Sequence, residues 1–139
     1  EDINRRLFDI ASFEQLKIEQ EVLMAVERYR DNTVTILVLT QDMLKKVGTD
    51  IDIDGLTAIT RRIEDTLIGI SIREMADGII KVSFRSMDDR VDVSKIAAQF
   101  GGGGHKRASG CSFDAPVDEV KKLILDGVFE EWEKVFGES

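Results

Sequence analysis

One cysteine, one proline, one histidine and one tryptophan are all that the 139 residues hold of those types. The lone Cys111 makes no internal disulfide, so the chain is not a disulfide-stapled scaffold, and a reducing, cytoplasmic setting suits it. With one proline, no long polar tract and 42% apolar residues, the chain has material for a core rather than for disorder. No apolar run approaches the roughly 20 residues that cross a bilayer, and no membrane partner is expected. The basic start, apolar stretch and small-residue cleavage site of a signal peptide are missing too. Cations are not in surplus: the formal net charge is −8, which excludes generic attraction to nucleic acid. There is no internal repeat or linker, and the length suits one domain. The chain opens on Glu1 rather than Met, and is read as part of something longer.

What is present is unevenly placed. Six cations (Lys81, Arg85, Arg90, Lys95, Lys106 and Arg107) stand against three acids (Asp88, Asp89 and Asp92) between Lys81 and Arg107. That window carries +3 and the remainder −11. A local positive site on an acidic body suits a small anionic ligand or the end of a strand, not a long duplex.

Periodicity gives the element order. Ser12 opens a first helix with Gln15 in capping-box spacing, and Ile18, Val22, Val26 and Tyr29 fall on one face. Residues 1–11 read as a connection to a separate N-terminal domain, and residues 12–139 as the domain proper. Thr33 to Thr40 is a β-branched run, apolar enough to be buried on both faces. A short helix over 41–47 and a longer one over 54–67 follow, the latter with Leu56, Ile59, Ile63 and Leu67 on its buried side. Strands over 69–75 and 79–86 flank Ala76-Asp77-Gly78, hairpin chemistry in which Asp-Gly supplies the positive φ angles of a tight turn. Alternation puts Arg85 at the far end of the second strand, on the face away from the core. A helix over 93–100, a strand over 108–113 and a last helix opened by Pro116 complete the chain. The expectation is an α/β fold: a single domain with a central mixed β-sheet flanked by helices.

The stretch QFGGGGHKRASG holds the only histidine and four consecutive glycines. A helix cap needs one glycine and accounts for Gly101. Gly102, Gly103 and Gly104 read instead as backbone free to turn its N–H groups inward, forming a concave anion site with His105, Lys106 and Arg107 close by. A Walker loop would need Lys-Ser/Thr after its last glycine, and a dinucleotide fingerprint would run strand, glycines, helix; this loop runs helix, glycines, strand. DIDIDG, from Asp50 to Gly55, opens like a calcium loop, but its twelfth position is Arg61 rather than Glu. Asp52 or Asp54 reads as a helix cap. No Cys or His lies at metal-ligand spacing from His105. Cys111 and Trp132 read as packing residues.

FGGGGHKRASGC, preceded by KVSFRS and DVSKIAAQ, resembles the C-terminal DHH-associated domain of the DHH phosphoesterases, and within them the bacterial nanoRNase/pAp phosphatase branch. DIDGLTAITRRIEDTLIGISIRE fits the same branch. The resemblance implies a substrate-binding module of a metal-dependent phosphoesterase acting on short oligoribonucleotides and adenosine 3′,5′-bisphosphate. The expected partners are short single-stranded RNA or nucleotide phosphates and an N-terminal DHH domain of the same polypeptide, with a homodimer left open. The implied phosphate-binding residues are Arg85, Gly101, Gly102, Gly103, Gly104 and His105, with Ser86 beside them. No catalytic residue and no cofactor is expected within this chain. Manganese is expected in the catalytic domain, because no Asp-His-His stretch exists here. Three rivals stay open: a module of a cyclic dinucleotide phosphodiesterase, a nucleic-acid-binding module of a synthetase or nucleotidyltransferase, and a dimerisation domain.

Overall fold

The computed structural model describes residues 10–47 and 51–137. Most of the connection expected over residues 1–11 therefore lies outside the described residues.

Helix α1 spans Phe13–Met24, with Ser12 as its cap: the Ser12 hydroxyl accepts from the Gln15 amide at 3.0 Å. The reciprocal half of the capping box does not form. The Gln15 side chain turns to the backbone of Asp52, accepting from its N–H at 2.8 Å and donating to its carbonyl at 3.2 Å. Ile18 and Val22 are buried, but the helix stops before Val26 and Tyr29. Strand β1, Glu27–Tyr29, replaces the expected last turn. It pairs antiparallel with β2, Val34–Leu39, across three consecutive left-handed residues, Arg30, Asp31 and Asn32, at φ 55, 58 and 67.

Helix α2, Gln41–Lys45, is capped by Thr40. The long helix expected over 54–67 is broken into α3, Ile53–Thr57, and α4, Ile59–Arg62. Asp52 caps α3, accepting from the Gly55 amide at 3.0 Å. Two features defeat one continuous helix. β-Branched residues crowd the segment, and the Thr57 and Thr60 hydroxyls bond back to the carbonyls of Asp54 and Thr57.

Strands β3, Ile68–Glu74, and β4, Ile80–Ser86, form the expected hairpin. Of its loop residues only Gly78 carries a positive φ, at 89°. The expected three-residue loop Ala76-Asp77-Gly78 is kept, but glycine alone takes the left-handed position and Asp77 does not. Helix α5 is Val93–Gln99, β5 the two residues Gly103–Gly104, β6 Ala108–Phe113, and α6 Val117–Phe136.

The six strands form one mixed sheet in the order β1-β2-β3-β4-β6-β5, in which only β2 and β3 run parallel. The expected fold class is the observed one. On one face Val34, Ile36, Ile68, Ile70, Ile72, Ile80, Val82 and Phe84 pack with α5 and α6, whose Val120, Ile124 and Val128 are fully buried. Cys111 joins this core, and burial pushes its thiol up to about 11. Trp132 packs on its margin and donates to the Thr33 hydroxyl at 2.9 Å, with the Arg30 guanidinium 5.3 Å from its ring centre.

The opposite face is dressed unevenly. The connection from β2 to β3 covers its β2 end, where Ile18, Val22, Leu37, Leu39, Leu56 and Ile59 make a second core. Beyond β3 the register rows of that face read Gly69–Arg85–Ala108, Ser71–Ser83–Gly110 and Arg73–Lys81–Ser112. That half is polar and made largely of small side chains.

Candidate functional site

A cleft of about 360 Å³ lies on this half-covered face, within the size range of small-ligand sites. Its floor is Gly69, Ser71, Ser83, Arg85, Ala108 and Gly110. Asp54, Thr57, Thr60 and Arg61 rise on the β2–β3 side, and Gly103 and Gly104 lie at the other. Arg85 is where alternation along β4 places it, exposed and off the core face. Among the described residues its guanidinium has no hydrogen bond or ion pair. No aromatic side chain lines the cleft, so it reads charge and hydrogen bonding rather than stacking.

The four glycines divide by role. Gly101 has φ 79 and ends α5 in a Schellman turn: its N–H donates to the Ala98 carbonyl at 3.2 Å, and the Gly102 N–H to that of Ala97 at 2.9 Å. Gly102 lies so close to β6 that a Cβ there would stand 2.1 Å from the Gly110 carbonyl oxygen. Gly104 has φ 145, and a Cβ would meet the Ala108 carbonyl at 2.6 Å. These three positions have structural reasons of their own. The amides of Gly101 and Gly102 are committed to helix carbonyls, which corrects the expectation of a run of free inward N–H groups. Gly103 differs: it has no left-handed φ, and a Cβ there would have nothing within 4 Å. It lines the cleft, paired with Gly110 across the β5–β6 edge.

Other expected residues fall outside the lining. Ser86 is buried on the core side, and its hydroxyl donates to the Asp88 carbonyl at 2.7 Å. His105 is exposed and opens the β5–β6 turn, its N–H donating to the Ala108 carbonyl at 2.7 Å. Arg107 is bound to the carboxylate of Asp89 and the carbonyl of Ser86. Arg90 grips Asp88 through two contacts, at 3.0 and 2.7 Å, and holds that carboxyl down at about 2. Two of the six clustered cations are thereby neutralised within the fold. The structure adds what spacing did not reveal: Thr57, Thr60, Arg61, Ser71 and Ser83. Arg61 was visible only as a failed calcium ligand. The serines showed only as the polar half of a strand alternation.

Among the described residues no group of three or more His, Cys, Asp or Glu side chains is placed to hold a metal ion. The described residues therefore do not fit a metal centre. Likewise among the described residues, no helix is long and apolar enough to cross a membrane.

The family model described as "DHHA1 domain" matches residues 31–132. The chain is 48% identical over 52 residues to the oligoribonuclease NrnB of Bacillus subtilis, a stretch covering 37% of this chain and 12% of that protein. It is 30% identical over 96 residues to the bifunctional oligoribonuclease and PAP phosphatase NrnA of Thermus thermophilus, covering 68% of this chain and 29% of the relative. Among solved structures, an exopolyphosphatase-related protein from Bacteroides fragilis superposes with a TM-score of 0.78 at 27% identity, over 93% of this chain and 38% of that one. The chain thus spans well under half the length of each of these proteins.

Proposed function

Because this chain belongs to the DHHA1 domain family, the DHH-associated domain of the resemblance drawn from its glycine block, we propose that it is the substrate-holding module of a phosphoesterase. Its substrates are short oligoribonucleotides and adenosine 3′,5′-bisphosphate. The printed activities of the relatives NrnB and NrnA support that substrate class. Bond cleavage belongs to an N-terminal DHH domain of the same polypeptide, where the resemblance implies manganese, in a cytoplasmic enzyme.

The observation that carries the reading is Arg85: a guanidinium with no hydrogen bond or ion pair among the described residues, exposed at the end of β4, in a cleft edged by Gly103 and Gly104. A planar fork takes two oxygens of one phosphate, and glycine at the edge lets that phosphate approach the backbone closely. Of the loop, Gly103 and Gly104 make the contact, while Gly101 and Gly102 hold the strand in place. His105, on the turn beside Gly104, serves a ligand group that projects beyond the cleft.

The test is Arg85→Ala in the full-length parent enzyme. The Michaelis constant for a short oligoribonucleotide should rise by roughly 10- to 100-fold, corresponding to about 1.5–3 kcal/mol for a charged hydrogen bond. The melting temperature should hold, because the side chain is exposed. A collapsed melting temperature with unchanged kinetics per folded molecule would make Arg85 structural.

A further inference from the structure

Arg61 reaches the same cleft from the β2–β3 side, and nothing among the described residues uses its charge. It sits on α4, where Ile59 and Thr60 face inward and Arg62 lines a separate hollow beside α1. Ile59 is buried in the second core, and Thr60 is only 2% exposed. Thr60 fits because of Gly69, where a Cβ would stand 2.7 Å from its hydroxyl oxygen. Gly69 is also the cross-strand partner of Arg85. One glycine therefore seats the helix that carries Arg61 and faces the strand that carries Arg85. Both guanidinia line a single cleft, and neither has a hydrogen bond or ion pair among the described residues. Asp54 is the one carboxylate on the lining, and it pairs with neither. Each guanidinium is therefore left to take an anion from outside the described fold. The same cleft is lined by Ser71 and Ser83, cross-strand partners in the row next to Gly69 and Arg85, with no side-chain hydrogen bond among the described residues.

We propose that Arg61 is a second phosphate contact, so that the cleft prefers a nucleotide presenting two phosphate groups: one to Arg85 and the glycine edge, the other to Arg61. This rests on the phosphate-holding reading above and adds a specificity-determining residue to it. With hydroxyls on the floor and no aromatic platform, the preference follows the number of phosphates and not the identity of the base.

The experiment measures equilibrium binding to the full-length parent protein by titration calorimetry. The ligands are diadenylate with a 5′-phosphate and the same dinucleotide with a 5′-hydroxyl, which carry two phosphates and one. The wild type should favour the 5′-phosphorylated ligand roughly tenfold. Arg61→Ala should remove that preference by weakening only the doubly charged ligand, Arg61→Lys should restore part of it, and Arg85→Ala should weaken both. Arg61 is exposed, so unchanged thermal melting of both Arg61 variants is expected. If Arg61→Ala leaves the preference intact, or weakens both ligands equally, the second contact is overturned while the Arg85 site stands. If the wild type binds neither ligand, or Arg85→Ala changes nothing, the phosphate-holding reading falls and this inference falls with it.

Discussion

At the scale of single residues, Gly103 separates support of the fold from contact with ligand. Gly102→Ala should destabilise strongly, since its methyl would fall 2.1 Å from the Gly110 carbonyl; forced overpacking costs typically about 1–3 kcal/mol. Gly103→Ala meets open space and no left-handed φ, so its melting temperature should stay within a few degrees of wild type. If phosphate rests on that edge, the same variant should raise the Michaelis constant of the parent enzyme. Melting curves and steady-state kinetics on the two variants check the pair, and ordinary kinetics for Gly103→Ala would leave the edge without a role in binding. The glycine block was the most legible part of the sequence, yet its internal division was not. Gly102 and Gly104 are required by the approach of β6, whose Gly110 and Ala108 lie eight and four residues on, and no local pattern announces a backbone passing that close.

At the scale of elements, legibility followed the strength of the periodicity. β2, β3, β4 and α6 are where alternation and helical spacing put them, within a residue or two. Arg85 was placed on its face by the period-2 rule alone. The failures share a cause. Tyr29 matched a helical stripe but pairs with Val34 in a strand, because a sheet edge nearby outweighed three residues of weak helical pattern. The 54–67 segment kept Leu56 and Ile59 buried, left Ile63 and Leu67 half-buried and lost its continuity, and that break made Arg61 invisible to a reading that assumed one helix. Packing at Gly69 decides where the resulting short helix sits. Gly69→Ala should set a methyl 2.7 Å from the Thr60 hydroxyl and lift α4 from the sheet, at a cost of about 1–3 kcal/mol. Denaturant titration measures the loss, and hydrogen exchange should place the lost protection in α4 and not in α6. Uniform loss across the sheet would mean that α4 is not seated by this contact.

At the scale of the whole molecule, one sheet face is fully covered by helices and the other only halfway, and the cleft is the uncovered half. The net charge of −8 hides this, because Arg61 and Arg85 face a single lining carboxylate, Asp54. The arrangement also decides what light can report. The only tryptophan, Trp132, sits on the covered face, bonded to Thr33 and beneath Arg30, with the full sheet between it and the cleft. Its indole is therefore a built-in gauge of whether the final helix is docked. Denaturant should shift its emission as that helix leaves the sheet. Filling the cleft with nucleotide should leave the emission spectrum as it was, so an optical binding assay needs an added fluorophore. A nucleotide-induced shift would instead put the ligand on the helical side, away from Arg85.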